Sequence, residues 1–365
     1  MTTDRIYYTD LAVPPGEYLA EVLEEKGIYQ ADLARRMGRP IPAINEIIKG
    51  DKTITSETAL QLEQVLGVPA HVWTGLEAQY QLVKARENER TQLETDIPLL
   101  EQIPFVDLAR LGFVKKTRIA LEKIKELQRF FGVSALSNMP QVKAFAPAFR
   151  CSGKHEASPY ALAAWLRCGE IKAREIETKP FSKEKLEVVL AEAKKMTNQP
   201  PGIFLPALKR LLAEAGVALV MLPHLPKTYA HGAAFWLGSD KAVVLMSIRG
   251  SWADMFWFSL FHELAHVLKH DKRLTFIDDG VSNPEVRKQE DEANEFAGEQ
   301  LIPGRAYAAF IQSEQLGTET IRAFARKMGV HPGIVVGRLQ HDEMLPVGTV
   351  LNRMRERYMW KKSAT

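Results

Sequence analysis

The sequence contains only two cysteines, Cys151 and Cys168, in 365 residues. Two thiols form neither a disulfide framework nor a paired metal knuckle. Small domains stabilised by several disulfides or by a cysteine metal site are therefore excluded. The longest apolar stretches, such as Ala218–Pro223 and Met255–Phe261, are far shorter than the ~20 residues that span a bilayer. The opening MTTDRIYYTD lacks a basic start followed by an apolar core, so no export signal is expected. These absences predict a cytoplasmic protein without a membrane partner.

The chain also has little excess charge of either sign. Its formal net charge is +3, which is too small to argue for nucleic-acid binding by itself. The hydrophobic share of 46% and charged share of 25% are typical of soluble globular proteins. Because the chain is longer than one ordinary domain, two or three domains are expected. Any claim about a ligand must therefore come from local motifs.

Hydrophobic periodicity and turn residues predict a mainly α, multidomain protein. Residues 1–95 are expected to form an all-α helix-turn-helix domain, and residues 96–200 a helical middle domain. Residues 201–365 are expected to form an α+β, zincin-like domain with a small sheet, because short strands precede several helices. The predicted strands, separated by Pro, Gly and Asp turns, are Val217–Leu222, Gly232–Leu237 and Ala242–Ile248.

A metal-binding motif lies on the predicted helix Asp254–His270. Residues four apart share one helix face, so His262 and His266 can reach the same ion. Glu263 follows the first histidine and is placed to act as the base toward a water molecule. The surrounding residues are mostly apolar, so the helix is expected to be buried, where polar groups need a partner. The alternative is a pair of core histidines satisfied by hydrogen bonds.

A third protein ligand is needed for a catalytic zinc site. His270 lies about 12 Å from His262 along the helix axis, too far to bind the same ion directly. The next predicted helix, Pro284–Gln300, is the better source, because Glu290 interrupts its stripe of apolar residues. Periodicity favours Glu290 over the neighbouring Glu292 without excluding the latter. The expected ion is Zn²⁺, with Mn²⁺ as an alternative.

The two segments WFSLFHELAHVLKH and EDEANEFAGEQLIP resemble the ImmA/IrrE family of metallopeptidases over roughly residues 202–305. The resemblance implies that His262, His266 and Glu290 hold the metal and that Glu263 is catalytic. It also implies a protein substrate, since family members cleave helix-turn-helix repressors. The strand Gly232–Leu237 is a hypothetical edge for a substrate strand. Tyr229 and His231 are either oxyanion stabilisers or plain turn residues.

The first region contains a helix-turn-helix pattern that begins at Gln30. Ala34 provides the small residue where the helices cross, and Gly38 suits a turn with positive φ. The second helix, about Ile41–Lys49, is the predicted recognition helix for the major groove. The predicted contacts to bases or phosphates are Gln30, Arg35, Arg39, Asn45, Glu46, Lys49 and Lys52. Pro40 and Pro42 weaken base contacts, and the alternative is a helical interaction module.

Residues 11–85 as a whole resemble the HigA-type, XRE-like family of antitoxins and repressors, in PPGEYLAEVLEEKG, NEIIKGDKTIT and TALQLEQVLGVPAHVW. The resemblance implies operator DNA as a partner, a homodimer and a toxin partner. The sequence thus predicts a DNA-binding regulator fused to a zinc metalloendopeptidase that cleaves a repressor-type protein or itself. The alternative is a HigA-like antitoxin whose peptidase-like domain is a non-catalytic sensor or toxin-binding module.

Overall fold

The computed structural model describes residues 13–150, 158–272, 274–278, 287–312 and 316–360. The chain divides into two compact units, Met1–Thr95 and Asp96–Thr365. The second unit contains both the middle region and the zincin-like region, and the boundary expected near residue 200 stays a prediction. The predicted fold class, mainly α with a small sheet, is confirmed.

The first unit is entirely helical in its described part. Gly16 allows its first helix to lie directly on the third, because a Cβ there would be 2.1 Å from the Ile47 carbonyl oxygen. Gly38 ends the second helix with φ 63°, as its position in the turn requires. The helices are α1 (Pro15–Glu25), α2 (Gln30–Met37), α3 (Ile41–Lys49), α4 (Ser56–Leu66) and α5 (Ala70–Thr95).

The second unit begins with a helical layer. The helix that ends at Phe131 begins at Ala120, because Ile119 before it has an extended backbone. Cys168 is buried, and burial raises the pKa of its thiol, whereas Cys151 lies outside the described residues. The helices are α6 (Phe105–Arg110), α7 (Ala120–Phe131), α8 (Ala146–Arg150), α9 (Pro159–Glu175), α10 (Lys183–Met196) and α11 (Pro201–Glu214).

A mixed sheet of four strands forms the centre of this unit, with the order β1-β3-β2-β4. β1 pairs in parallel with β3, and β2 forms an antiparallel hairpin with β3. The strands are β1 (Val217–Met221), β2 (Gly232–Leu237), β3 (Lys241–Met246) and β4 (Phe276–Asp278). β1, β2 and β3 lie where the sequence predicts strands.

The fourth strand corrects the hypothesis that β2 is an open edge. β4 pairs antiparallel with the beginning of β2, from Gly232 opposite Asp278 to Ala234 opposite Phe276. The sequence predicts only a polar loop there, because three residues are too few to produce a periodic pattern. Phe276 is nevertheless 4% exposed, and its burial holds the strand on the sheet. A substrate strand cannot add to β2 at Gly232–Ala234 while β4 is paired.

A long buried helix, α12 (Ala253–Lys269), packs on this sheet and is followed by the remaining helices. These are α13 (Arg287–Leu301), α14 (Gly304–Ile311), α15 (Thr318–Met328) and α16 (Pro332–His341). Across the described ranges, no helix has both the length and the apolar character that crossing a membrane requires.

The segment around Arg355 returns to the first turn of α12. Its guanidinium donates two hydrogen bonds to Asp254, with Nη2–Oδ2 2.7 Å and Nε–Oδ1 3.0 Å. Both side chains are only 9% exposed. Tyr358 adds a backbone hydrogen bond to the Ser251 carbonyl, and its hydroxyl accepts one from the Trp257 indole. The end of the chain thereby fixes the beginning of α12.

Candidate functional site

The HExxH residues lie on the buried face of α12. His262, Glu263 and His266 are 3%, 0% and 2% exposed. The helical spacing places the two histidines one turn apart, with their Nε2 atoms 3.0 Å from each other. Two imidazoles therefore point at a common position inside the protein.

Glu290 reaches the same position from α13. Its Oε2 lies 3.1 Å from His262 Nε2, and its Oε1 lies 3.6 Å from His266 Nε2. Glu292 instead lies beside His270, with Oε2–Nε2 3.3 Å. Of the two acids that the sequence leaves open, Glu290 is the one that meets both histidines. The first residues of that predicted helix, Pro284–Val286, lie outside the described residues.

The three side chains fit a divalent ion such as zinc. Their ligand atoms all lie within 4.8 Å of one another. Nitrogen ligands at 2.0–2.1 Å in tetrahedral geometry are about 3.3 Å apart, close to the spacing found here. Two imidazoles and one carboxylate are also the ligand set of catalytic zinc sites, in which a fourth position stays open.

The charges of these groups suit metal binding. Burial lowers the pKa of His266, which favours the neutral imidazole that binds a metal. Burial alone would raise the pKa of Glu290, but hydrogen bonds from His262 and His266 lower it to about 2. The carboxylate is therefore ionised at neutral pH. The site combines a neutral donor with an anionic one.

Each histidine is oriented through its other ring nitrogen. His262 Nδ1 lies 2.9 Å from Asn294 Oδ1, and His266 Nδ1 lies 2.9 Å from His270 Nδ1. This series of side-chain contacts continues from His270 Nε2 to Glu292 Oε2. A partner at Nδ1 fixes the ring and leaves Nε2 directed at the ion. His270 thus has the indirect role that the sequence allows, while Asn294 was missed; its signal was its position four residues after Glu290.

Glu263 faces the start of β2. A Cβ at Gly232 would be 2.5 Å from Glu263 Oε1, so a larger residue there would have to displace Glu263 or the strand. On the other side of the histidine pair, the Phe276 ring of β4 stacks on His266 with centroids 4.0 Å apart and an interplanar angle of 12°. The beginning of β2 and β4 therefore border the site.

Tyr229 and His231 are joined by Arg249, which sequence reasoning missed. The Arg249 guanidinium donates to the Tyr229 carbonyl oxygen and lies 5.0 Å from the Tyr229 ring centroid. Its Nη1 is also 3.4 Å from His231 Nε2. Tyr229 has φ 53°, which agrees with a turn. An oxyanion role for either residue stays a prediction.

The helix-turn-helix geometry follows the sequence closely in the first unit. α3 has the predicted bounds and α2 begins at Gln30, where the pattern begins. Four apolar residues of the pair are at most 2% exposed, namely Leu33, Ala34, Ile44 and Ile47. Thr55 caps the start of α4, since its hydroxyl oxygen accepts a hydrogen bond from the Thr58 amide. The apolar residues thus lock α2 and α3 together as expected.

Most of the predicted DNA contacts are exposed. Glu46 pairs with Lys52 at 3.7 Å, and Arg35 pairs with Asp32 at 3.3 Å. The exposed predicted contacts are Gln30, Arg35, Asn45, Glu46, Lys49 and Lys52. Their contacts to DNA stay predictions.

Arg39 differs from the other predicted contacts. Its side chain is 19% exposed, and its Nε donates to Gln61 Oε1 at 2.6 Å. A second contact joins its Nη2 to Glu57 at 3.3 Å. Arg39 therefore ties the turn between α2 and α3 to α4 within the domain, which is a structural use that the sequence pattern does not suggest.

Comparison with protein families finds two matches. The helix-turn-helix family matches residues 19–73, and the family of M78 peptidases described as the IrrE N-terminal-like domain matches residues 249–340. Virulence-associated protein I of Dichelobacter nodosus is 33% identical over 98 residues, which are 27% of this chain and 90% of that protein.

Solved structures similar to part of the chain include two antitoxin-type proteins. A HigA-family addiction module antidote protein of Coxiella burnetii is 28% identical, with 23% of this chain and 94% of that one covered and a TM-score of 0.22. Pseudomonas aeruginosa antitoxin HigA, solved with the higBA promoter, is 30% identical, with 24% and 95% covered and a TM-score of 0.22. These likenesses extend over a quarter of the chain and support no conclusion about the remainder.

Proposed function

We propose that this chain is a DNA-binding regulator with a built-in metallopeptidase, because residues 19–73 match the helix-turn-helix family and residues 249–340 match the IrrE N-terminal-like domain of the M78 peptidases. The observation that carries the proposal is the convergence of His262, His266 and Glu290, with Glu263 beside them. The proposed ion is zinc.

The chemistry divides between the ion and the protein. When bound, zinc supplies Lewis acidity that polarises a carbonyl group and makes water more acidic. His262, His266 and Glu290 would hold the ion on one side and leave the other side open to substrate. Glu263, buried next to these ligands, would take the proton of the attacking water and return it to the leaving amine. Burial keeps competing water away from this carboxylate.

The proposed substrate is a polypeptide: a helix-turn-helix repressor or the N-terminal part of this chain. Cleavage of either would end repression at the operator. α3 would enter the major groove as the recognition helix, and two copies of the chain would bind the two half-sites of an operator. A toxin partner and a cytoplasmic location belong to the same proposal.

One structural observation favours a second candidate function. β4 occupies the side of β2 that borders the site, and Phe276 stacks on His266. This arrangement is consistent with an antitoxin or repressor whose peptidase-like domain only binds a ligand or a toxin. The two functions differ in whether Glu263 performs chemistry.

The test compares the full chain with Glu263→Gln, each loaded with one equivalent of zinc. Both proteins are incubated alone and with helix-turn-helix repressors, and the products are identified by mass spectrometry. Glu187→Gln is the matched control, since Glu187 is an exposed glutamate on α10. We expect fragments from the unmodified chain and the control only. Fragments from Glu263→Gln, or none from any protein, would refute the peptidase and support the second candidate.

A further inference from the structure

A cavity of about 530 Å³ opens between α12, α13 and α16. Its size lies within the range of about 300–1,000 Å³ that is typical of ligand pockets. Its lining includes none of the three proposed ligands and not Glu263. It therefore needs an explanation of its own.

Residues of two helices, α12 and α13, line the cavity and also lie next to the metal centre. Phe258 and Ser259 line it, and they lie one helical turn before His262 and Glu263 on α12. Asn294 also lines it and contacts His262 Nδ1 at 2.9 Å. This part of the cavity wall is thus one helical turn away from the proposed reaction centre.

A third neighbour places the cavity beside the catalytic carboxylate. His231 lines the cavity and immediately precedes Gly232, whose Cα lies against Glu263. The cavity therefore reaches both the ligand His262, through Asn294, and the base Glu263, through the start of β2. A polypeptide held at the metal centre could place a neighbouring side chain in it.

The walls offer mainly apolar surface. Their hydrophobic members are Met255, Phe258, Leu301, Ile302 and Ile334. Gly337 lets α16 approach α12 closely, since a Cβ there would be 2.2 Å from Asp254 Oδ2. Gly337 accordingly projects no side chain into the cavity.

Three charged groups of the wall are engaged with other groups of the protein, namely Asp254, Arg338 and Glu299. Asp254 accepts two hydrogen bonds from Arg355, and Arg338 Nε donates to Asp342 at 2.7 Å. Glu299 accepts the Gly304 amide at 2.7 Å. A charged ligand would compete with these contacts, whereas an apolar group gains by leaving water.

We propose that this cavity is a specificity pocket, which receives a large apolar side chain next to the substrate bond that is cleaved. The substrate class is a polypeptide with leucine, methionine or phenylalanine at that position. This inference rests on the proposed peptidase function and adds the sequence preference of its site. A substrate with glycine or aspartate at the same position would not gain the free energy of burying an apolar side chain in the pocket.

The test measures binding rather than turnover. Peptidyl hydroxamates, whose hydroxamate group binds zinc, are prepared with hydrogen, methyl, isobutyl, benzyl or carboxymethyl at one side-chain position. Their dissociation constants are measured by calorimetry on the full zinc-loaded chain. We expect the isobutyl and benzyl compounds to bind at least about tenfold more tightly than the hydrogen and carboxymethyl compounds, because burying such a group contributes about that factor or more.

Two variants at one cavity position assign the preference to this cavity. Met255→Trp fills the cavity, and Met255→Leu is the matched control of similar volume. We expect Met255→Trp to lose the preference and Met255→Leu to keep it, with equal zinc content in both. If zinc binds but the affinities do not differ, or if Met255→Trp keeps the preference in its folded form, the pocket is refuted and the peptidase is not. If the chain binds no zinc, the proposed function fails and the inference falls with it.

Discussion

Gly232 lies in direct contact with the Glu263 carboxylate. A methyl group added to Gly232 would come within 2.5 Å of Glu263 Oε1 and 2.8 Å of Glu263 Cγ. Ordinary carbon contacts are at least several tenths of an ångström longer. The first residue of β2 and the base on α12 therefore fix each other's position.

This contact predicts that Gly232→Ala impairs hydrolysis while zinc stays bound. The new methyl must displace Glu263 or the strand, and a displacement of about 1 Å at a reacting group can cost about 10²-fold in rate. Rates of cleavage and zinc content are measured on the same samples. Gly202→Ala is the control, because nothing lies within 4 Å of a Cβ there. A Gly232→Ala protein with unchanged rate would contradict the assignment of Glu263.

Substitutions of the two candidate acids on α13 should weaken zinc binding by different amounts. Glu290→Gln removes a proposed ligand and should weaken zinc binding by more than the 10–100-fold typical of outer partners. Glu292→Gln should cost less than tenfold, because Glu292 acts only through His270 and His266. Competition with a zinc chelator measures both constants. A larger loss in Glu292→Gln would reverse the choice between the two residues.

Substitutions at two residues of α3 should have separable effects on DNA binding. The probe is a duplex that the full chain selects from a random-sequence pool. Asn45→Ala should relax the preference at one base pair by about 1–3 kcal/mol, since asparagine reads adenine through two hydrogen bonds. Lys49→Ala should weaken binding to all DNA sequences alike. It should also reduce the salt dependence of that binding by about one phosphate contact.

The control for both is Lys185→Ala, an exposed lysine of α10 in the second unit. Affinities are measured by fluorescence anisotropy at several salt concentrations. Unchanged sequence preference in Asn45→Ala, together with normal affinity in Lys49→Ala, would favour a helical module that binds protein instead of DNA.

Glu170 predicts a pH dependence of stability. Burial raises the pKa of this carboxyl, but hydrogen bonds from Arg174 and Arg167 outweigh burial and lower it. Folding therefore favours the ionised form, so the stabilisation is present above the unfolded pKa and is lost as pH falls through the folded pKa. Glu170→Gln should cost about 1 kcal/mol at pH 7 and less at pH 3. Urea unfolding at both pH values measures the difference, and an equal cost at both would contradict it.

The sequence predicted elements whose signal is local. α3 has the expected bounds because proline at its start and Gly50 at its end mark both termini. Glu290 was found because a carboxylate on an apolar stripe is costly unless it has a partner. In both cases a few neighbouring residues determine the outcome.

The features that were missed depend on residues far apart in the chain. β4 is held by pairing with a strand 40 residues earlier, and three residues carry no periodicity of their own. Arg249 meets Tyr229 only when the β2–β3 hairpin has formed, and Arg39 meets Gln61 only when the turn between α2 and α3 packs against α4. Contacts of this kind become visible only in the folded chain.

The return of the segment around Arg355 to the beginning of α12 links distant parts of the chain mechanically. Asp254 stands two helical turns before His262, so the bidentate pair with Arg355 holds the same rigid rod that carries the metal ligands. Displacing the residues near 355 would shift α12, and this shift would change the geometry of the metal ligands that α12 carries. A protein that grips this segment from outside could therefore change metal affinity without approaching the ion.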